Sequence, residues 1–171
     1  MEEVKKFIGE FIQKEYEGLL IERTEKDPSV YMKAVESVSS FCDAGLGLAF
    51  MGRRPYKPKD DWFASVDQVK KEIQPRRLFQ IARYDHPEYV NIYKCYVSDT
   101  TAGADTLFAC LYVAKVSDKW VVISRYHVDD SGGWVNRGGK EIKGLRGPME
   151  KQILQNPNWP KYLEVYKEEM Q

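Results

Sequence analysis

The chain has 171 residues, 43% apolar and 30% charged, which suits one globular domain with enough length to bury a core. Lys plus Arg and Asp plus Glu both number 26, so the formal charge is zero, which argues against a broad electrostatic surface for nucleic acid or anionic membrane. The three cysteines, Cys42, Cys95 and Cys110, show neither metal nor redox spacing, and an odd count makes no disulfide framework; buried free thiols are expected, with no metal and no cofactor.

The first residues, MEEVKKFIGEF, carry early acidic side chains and no long apolar run, so no secretory signal is read there. No stretch approaches the roughly 20 apolar residues of a membrane span. A cytoplasmic protein without a membrane partner is expected. Val4, Phe7, Ile8, Phe11, Ile12, Glu15 and Leu19 then recur at helical spacing over Val4–Glu22, an amphipathic helix whose stripe suits covering a sheet. After a polar break, Asp27-Pro28 opens a second helix, because Asp caps free amides and Pro is tolerated in the first turn. Tyr31, Ala34, Val35, Val38, Phe41 and Cys42 form its inner face, and Gly45 and Gly47 are expected to end it. Leu48 to Trp62 reads as an irregular loop. Its basic cluster, Arg53, Arg54, Lys57 and Lys59, is a solvated surface or an anion contact. Ser65 followed by Gln68 has the capping-box pattern and predicts a short helix to about Ile73, with Val66, Val69 and Ile73 inward.

Arg77–Tyr84 and Tyr89–Ser98 are predicted strands around a turn at 85–88. The strongest signal is Leu107–Asp130, two apolar-rich runs joined at Ser117-Asp118. Consecutive strands with short loops imply an antiparallel meander, since parallel pairing needs long crossovers. With Ser117 and Asp118 at the tip, Lys115 faces Trp120. An uninterrupted register then places Leu107, Ala109, Leu111, Val113, Val122, Ser124, Tyr126 and Val128 on one face. Phe108, Cys110, Tyr112, Val121, Ile123, Arg125 and His127 share the other. Neither face is polar, so both should be covered, one by helices and the other by a partner subunit or the chain's own tail. Beyond Asp130, the glycines at 132–133 and 138–139 read as flexible, and without a following helix and a Lys-Ser/Thr pair they make no phosphate loop. Two short helices are predicted over 149–154 and 160–170. The expected organisation is a single domain over 1–171, with a core to 144 and a helical extension over 145–171.

Three segments carry a resemblance: VKKFIGEFIQKEYEGLL in the first helix, SVDQVKKEI before the sheet, and KWVVISRYHVDD at its end. From about Val4 to Val128 the chain resembles the nuclear transport factor 2-like superfamily. The resemblance implies an α+β fold in which N-terminal helices pack on a strongly curved antiparallel sheet, a cone with a cavity at its open end. The extra C-terminal helices depart from the minimal family. The superfamily holds isomerases, dehydratases and polyketide cyclases, and also binding modules and immunity proteins of bacterial toxin systems, so the function must come from the site.

Two classes of function follow. A binding protein is the leading expectation, an immunity protein that neutralises a bacterial toxin through Trp62, Trp134 and Trp159 as aromatic anchors. The alternative is a pocket enzyme of the isomerase, dehydratase or cyclase kind, with acid/base groups drawn from Tyr126, His127 and Asp129, and beyond them Tyr84, Tyr93 and Asp99. A Cys110–His127 pair on one sheet face is a further nucleophile arrangement. Tyr93, Tyr112, Arg125 and His127 are expected to line the pocket, which would take a small apolar ligand. A homodimer through the sheet is the remaining partner expectation.

Overall fold

A computed structural model describes residues 1–51, 62–86, 89–99, 106–128 and 134–139. Among them, the helices are α1 (Glu2–Thr24), α2 (Pro28–Ser39), α3 (Ala44–Met51) and α4 (Val66–Glu72). The strands are β1 (Arg77–His86), β2 (Tyr89–Asp99), β3 (Thr106–Val116), β4 (Lys119–Val128) and β5 (Trp134–Gly139). They form one open antiparallel sheet in sequence order, β1-β2-β3-β4-β5. The α+β class and the meander are as expected. The fifth strand is not: the glycines at 138 and 139, read as flexible, end β5 against β4.

The helices follow their caps. Asp27 accepts a hydrogen bond from the Ser29 amide at 2.9 Å and starts α2, and Ser65 accepts from the Gln68 amide at 3.2 Å and starts α4. Near the end of α2 the hydroxyls of Ser39 and Ser40 donate to the Glu36 and Ser37 carbonyls, drawing the backbone's acceptors to side chains. Gly45 and Gly47 do not end α2; they lie inside α3. Asp43 restarts the helix, its Oδ1 accepting from the Leu46 amide at 2.9 Å and its carbonyl from Gly47 at 2.7 Å. In the short α4 only Val69 is fully buried, while Val66, expected inward, is 47% exposed at the first turn.

The core lies between the helices and one sheet face. Val4, Ile8, Phe11 and Ile12 of α1 and Val35 and Val38 of α2 meet Cys95, Val97, Ala109, Leu111, Val113 and Val122. Phe41 seals one side, its ring 5.5 Å from Phe7 and 5.9 Å from Phe11. The opposite face is buried too: Ile92, Lys94, Tyr96, Cys110, Tyr112, Ile123 and Ser124 are at most 2% exposed. Both faces are therefore covered within one chain at their centre.

The hairpin tip behaves as read. Ser117 and Asp118 both have positive φ, 48° and 63°, as a two-residue turn of the twist-matched kind requires, and Lys115 faces Trp120. The uninterrupted register does not hold. Val113 pairs with Val122, but Tyr112 pairs with Ser124, so Ile123 is an extra residue in β4. Such a bulge shifts the alternation by one position. Ser124 and Tyr126 turn away from the helices, and Arg125 and His127 turn toward them, opposite Leu111 and Ala109. That corrects both face assignments from Ser124 onward, while Ile123 keeps the face expected for it.

Two features hold the bulge. The chain between α2 and α3 runs beside it as a short parallel bridge from Cys42, with Val122 N–H donating to Phe41 O at 2.8 Å and Asp43 N–H to Val122 O at 3.0 Å. Further along, Gly139 pairs with Ser124 at a φ of 81°; a Cβ there would lie 2.2 Å from the Ile123 carbonyl oxygen. Only glycine permits that approach. The β4 edge is thus shared between the α2–α3 connection and β5, and the changeover falls at the bulge.

The helices predicted over 149–154 and 160–170, the basic cluster at 53–59, and Asp129 and Trp159 lie outside the described residues.

Candidate functional site: a cavity between α1, α2 and β4

Beyond Ile12 the α1 stripe changes character. Glu15, Gly18, Leu19 and Glu22 keep helical spacing, but they line a cavity of about 220 Å³. Ala34, Val35 and Val38 of α2 form its apolar wall, with Tyr31 of the same helix adding a ring and a phenol. Arg125 and His127 of β4, with Arg76 just before β1, supply its remaining polar groups. Gly18 is part of the lining, and a Cβ placed there would meet only Val38 Cγ2, at 3.9 Å, so a larger side chain at this position would enter the space.

Glu15 is the hub of the polar end. Its Oε1 accepts from Arg76 Nη1 at 2.8 Å, and its Oε2 lies 2.8 Å from Arg125 Nη1. The second contact is an ion pair in which the N–H is not aimed at the oxygen, so the shielded Oε2 gains charge compensation without a hydrogen bond. Side-chain exposures of 13% for Glu15, 17% for Arg76 and 6% for Arg125 make this an ion group inside the fold. Arg125 also donates from Nε to His127 Nε2 at 2.6 Å. An imidazole that accepts at Nε2 carries its proton on Nδ1, so the tautomer follows from Arg125.

Cys42 sits near this group. Burial pushes its thiol up to about 12, against the opposing pull of Arg125. Cys95 is likewise raised by burial. Neither thiol has the lowered pKa of a nucleophile.

Of the residues expected at a pocket, Arg125 and His127 line this one. Tyr93 faces the helices but packs edge-on against Trp120, with ring centroids 5.7 Å apart. Tyr112 and Tyr126 lie on the opposite sheet face, 5.9 Å apart, because the bulge turns Tyr126 away from His127. The same bulge separates Cys110 from His127, placing them on opposite faces and removing the proposed nucleophile pair. Trp62 is 37% exposed, with its indole N–H donating to Glu22 O at 3.4 Å and Arg23 Cζ 4.7 Å above its ring. Trp134 opens β5, and Tyr84 and Asp99 lie in β1 and β2; their side chains are outside the description.

Sequence reasoning missed Glu15 and Arg76 as site residues. The signal for Glu15 was present: a carboxylate inside an otherwise apolar helical stripe needs a buried partner. Nothing in the sequence paired it with Arg76, 61 positions away. Among the described residues no group of His, Cys, Asp and Glu could hold a metal ion, and no helix is long and apolar enough to cross a membrane. No protein-family model matches the chain, and neither does any curated protein or solved structure.

Proposed function

We propose that this is a non-catalytic binding protein that takes a small ligand into the α1–α2–β4 cavity. The observation that carries the reading is the polarity of that cavity: apolar walls from Leu19, Ala34, Val35 and Val38 lead to the largely buried Arg76–Glu15–Arg125 group. Binding sites of this kind join an apolar lining to a few fixed polar groups. At about 220 Å³ it lies below the roughly 300–1,000 Å³ of drug-sized pockets, so the ligand is small. Helices followed by a meander, with a pocket between them, is also what the nuclear transport factor 2-like resemblance implies, and the cone of that superfamily is the fold we propose.

Catalysis is the poorer use of the same residues. Glu15 is held between two guanidinium groups, and His127 has its acceptor nitrogen occupied by Arg125, so neither is placed to take a proton from a substrate. One observation favours a second reading, the immunity-type protein contact. Trp62, partly exposed beneath Arg23, is an aromatic–arginine pair of the type that anchors interfaces. A homodimer through the sheet has less to recommend it, since both faces are already buried at their centre.

The test is a fragment screen by ligand-observed NMR on the wild-type chain and on Ala34→Phe, which fills the cavity from the α2 side. Fragments that bind the wild type and lose binding in the filled variant support the pocket reading. Absence of binders, or binders indifferent to the filling, overturns it.

A further inference from the structure

We propose that the ligand is a small amine whose ammonium group meets the Glu22 carboxylate, with its apolar body against Leu19, Ala34 and Val35. This rests on the pocket reading above. The charged side chains of the lining fall into two groups. Glu15 is held between Arg76 and Arg125, Arg125 also donates to His127, and both arginines and the histidine have further interactions of their own. That end of the cavity is taken up by the protein's own pairs. Glu22 lines the same cavity seven positions along α1, about 10 Å from Glu15 by helix rise. It is partly buried, and among the described residues its carboxylate has neither an ion pair nor a hydrogen bond. The Trp62 indole N–H reaches its backbone carbonyl instead, at 3.4 Å.

A second, independent observation is the place of Glu22 in its helix. The helix α1 ends at Thr24, so Glu22 lies in the last turn, where the negative end of the dipole favours a cation over a carboxylate. Arg23, the basic residue of that turn, does not supply the cation. Adjacent helical residues do not face each other, and Arg23 donates to Glu72 Oε2 at 2.9 Å and to Trp62 O at 3.1 Å. Helix end and carboxylate therefore add up to one negative site on an apolar-walled cavity. Partial burial strips that carboxylate of some hydration, and an ammonium restores it through charge-assisted hydrogen bonds. An anion would be repelled at Glu22, and a neutral donor would make a weaker bond. Leu19 lies between Glu15 and Glu22 on α1 and, with Ala34 and Val35, gives the wall that the body of the amine covers.

The experiment is an NMR titration at neutral pH and fixed ionic strength with benzylamine, benzyl alcohol and benzoate. Benzylamine is expected to bind at least about fivefold more tightly than the other two, the ratio set by one partly screened ion pair. Glu22→Gln should remove that advantage while leaving benzyl alcohol unchanged, and Glu22→Asp should keep part of it. Glu17→Gln is the control for the general charge of α1: Glu17 is exposed, pairs with Lys14 and lies outside the cavity lining, so its loss should leave benzylamine binding as it is. Gly18→Leu joins Ala34→Phe as a second filling variant in case one fails to fold. If benzyl alcohol or benzoate equals benzylamine, or Glu22→Gln leaves the ranking unchanged or acts no more strongly than Glu17→Gln, the amine assignment is overturned while the pocket reading stands. If no probe binds, or the filling variants bind as the wild type does, both fall.

Discussion

In its first turns α1 lays Val4, Ile8 and Phe11 against Val97, Leu111 and Val113, and every one of these is at most 2% exposed. In its later turns the same helical stripe carries Glu15, Gly18, Leu19 and Glu22, and there the interface opens into a cavity. One helix, packed along one sheet face, is closed at one end and open at the other. The difference arises from side-chain volume and charge. Aromatic rings from Phe7, Phe11 and Phe41 fill the first half, whereas a glycine and the small side chains of α2 leave the second half unfilled. The ion group then occupies the floor where apolar packing stops. A largely buried ion group is seldom the most stable filling for such a space, so replacing it by apolar side chains separates its part in stability from any other.

Truncation should separate the halves most strongly. Phe11→Ala removes a ring from the closed half and should cost about 3–5 kcal/mol in urea denaturation. Leu19→Ala, at the partly exposed cavity wall, should cost less than about 2 kcal/mol. Equal losses would mean that the open half is packed like the closed one.

Removing one member of the ion group should be nearly as damaging. Glu15→Gln takes the carboxylate from between the buried Arg125 and the part-buried Arg76, with an expected loss of about 3 kcal/mol. Replacing all three together, Glu15→Leu with Arg76→Met and Arg125→Met, should return stability close to wild type while abolishing binding of fragments that the wild-type cavity takes. A triple variant that stays as unstable as the single one would show that the group is structural. The bulge that delivers Arg125 and His127 to the cavity has its own test. Gly139→Ala forces a Cβ toward the Ile123 carbonyl at a positive φ and should destabilise by about 2–4 kcal/mol. Hydrogen exchange should show the loss first in the β4–β5 pairing.

Gly18→Ala carries a smaller effect of the opposite sign. The added methyl meets only an ordinary contact with Val38, and alanine exceeds glycine in helix propensity by about 0.8–1 kcal/mol. Thermal unfolding should therefore rise slightly while ligand binding weakens, a separation of stability from function at one atom.

The sequence was most legible where local chemistry decides structure. The Asp27 and Ser65 caps, the α1 stripe and the Ser117-Asp118 turn each depend on residues a few positions apart, and each is present. The β4 bulge was not legible, because it is set from outside the strand, by Phe41 and Asp43 on one flank and Gly139 on the other. A single inserted position exchanged Tyr126 for Arg125 and His127 on the helix side, and with it the composition of the site. Glu15 was visible as an anomaly in its stripe. Its partner Arg76 was hidden because long-range ion pairing leaves no periodic trace.

Cys42 reports on the boundary between the halves. Its thiol lies beside the ion group, and burial raises its pKa from 9.0 to about 12. The fold favours the neutral thiol, so this contribution to stability is fully present below pH 9 and is lost as pH rises toward about 12. At pH 8 the thiolate fraction is on the order of 10⁻⁴, and only thiolate reacts with iodoacetamide, so alkylation of Cys42 should be far slower than that of an unfolded control. Opening the cavity end should accelerate the reaction, since water at the thiol lowers its pKa toward the ordinary value. Glu15→Gln is expected to speed labelling through the loosened ion group, and a saturating fragment that binds the cavity to slow it in the wild type. Labelling that ignores both would place the boundary elsewhere: the motion that admits reagent to Cys42 would then run through the α2–α3 connection and its bridge to Val122, not through the cavity.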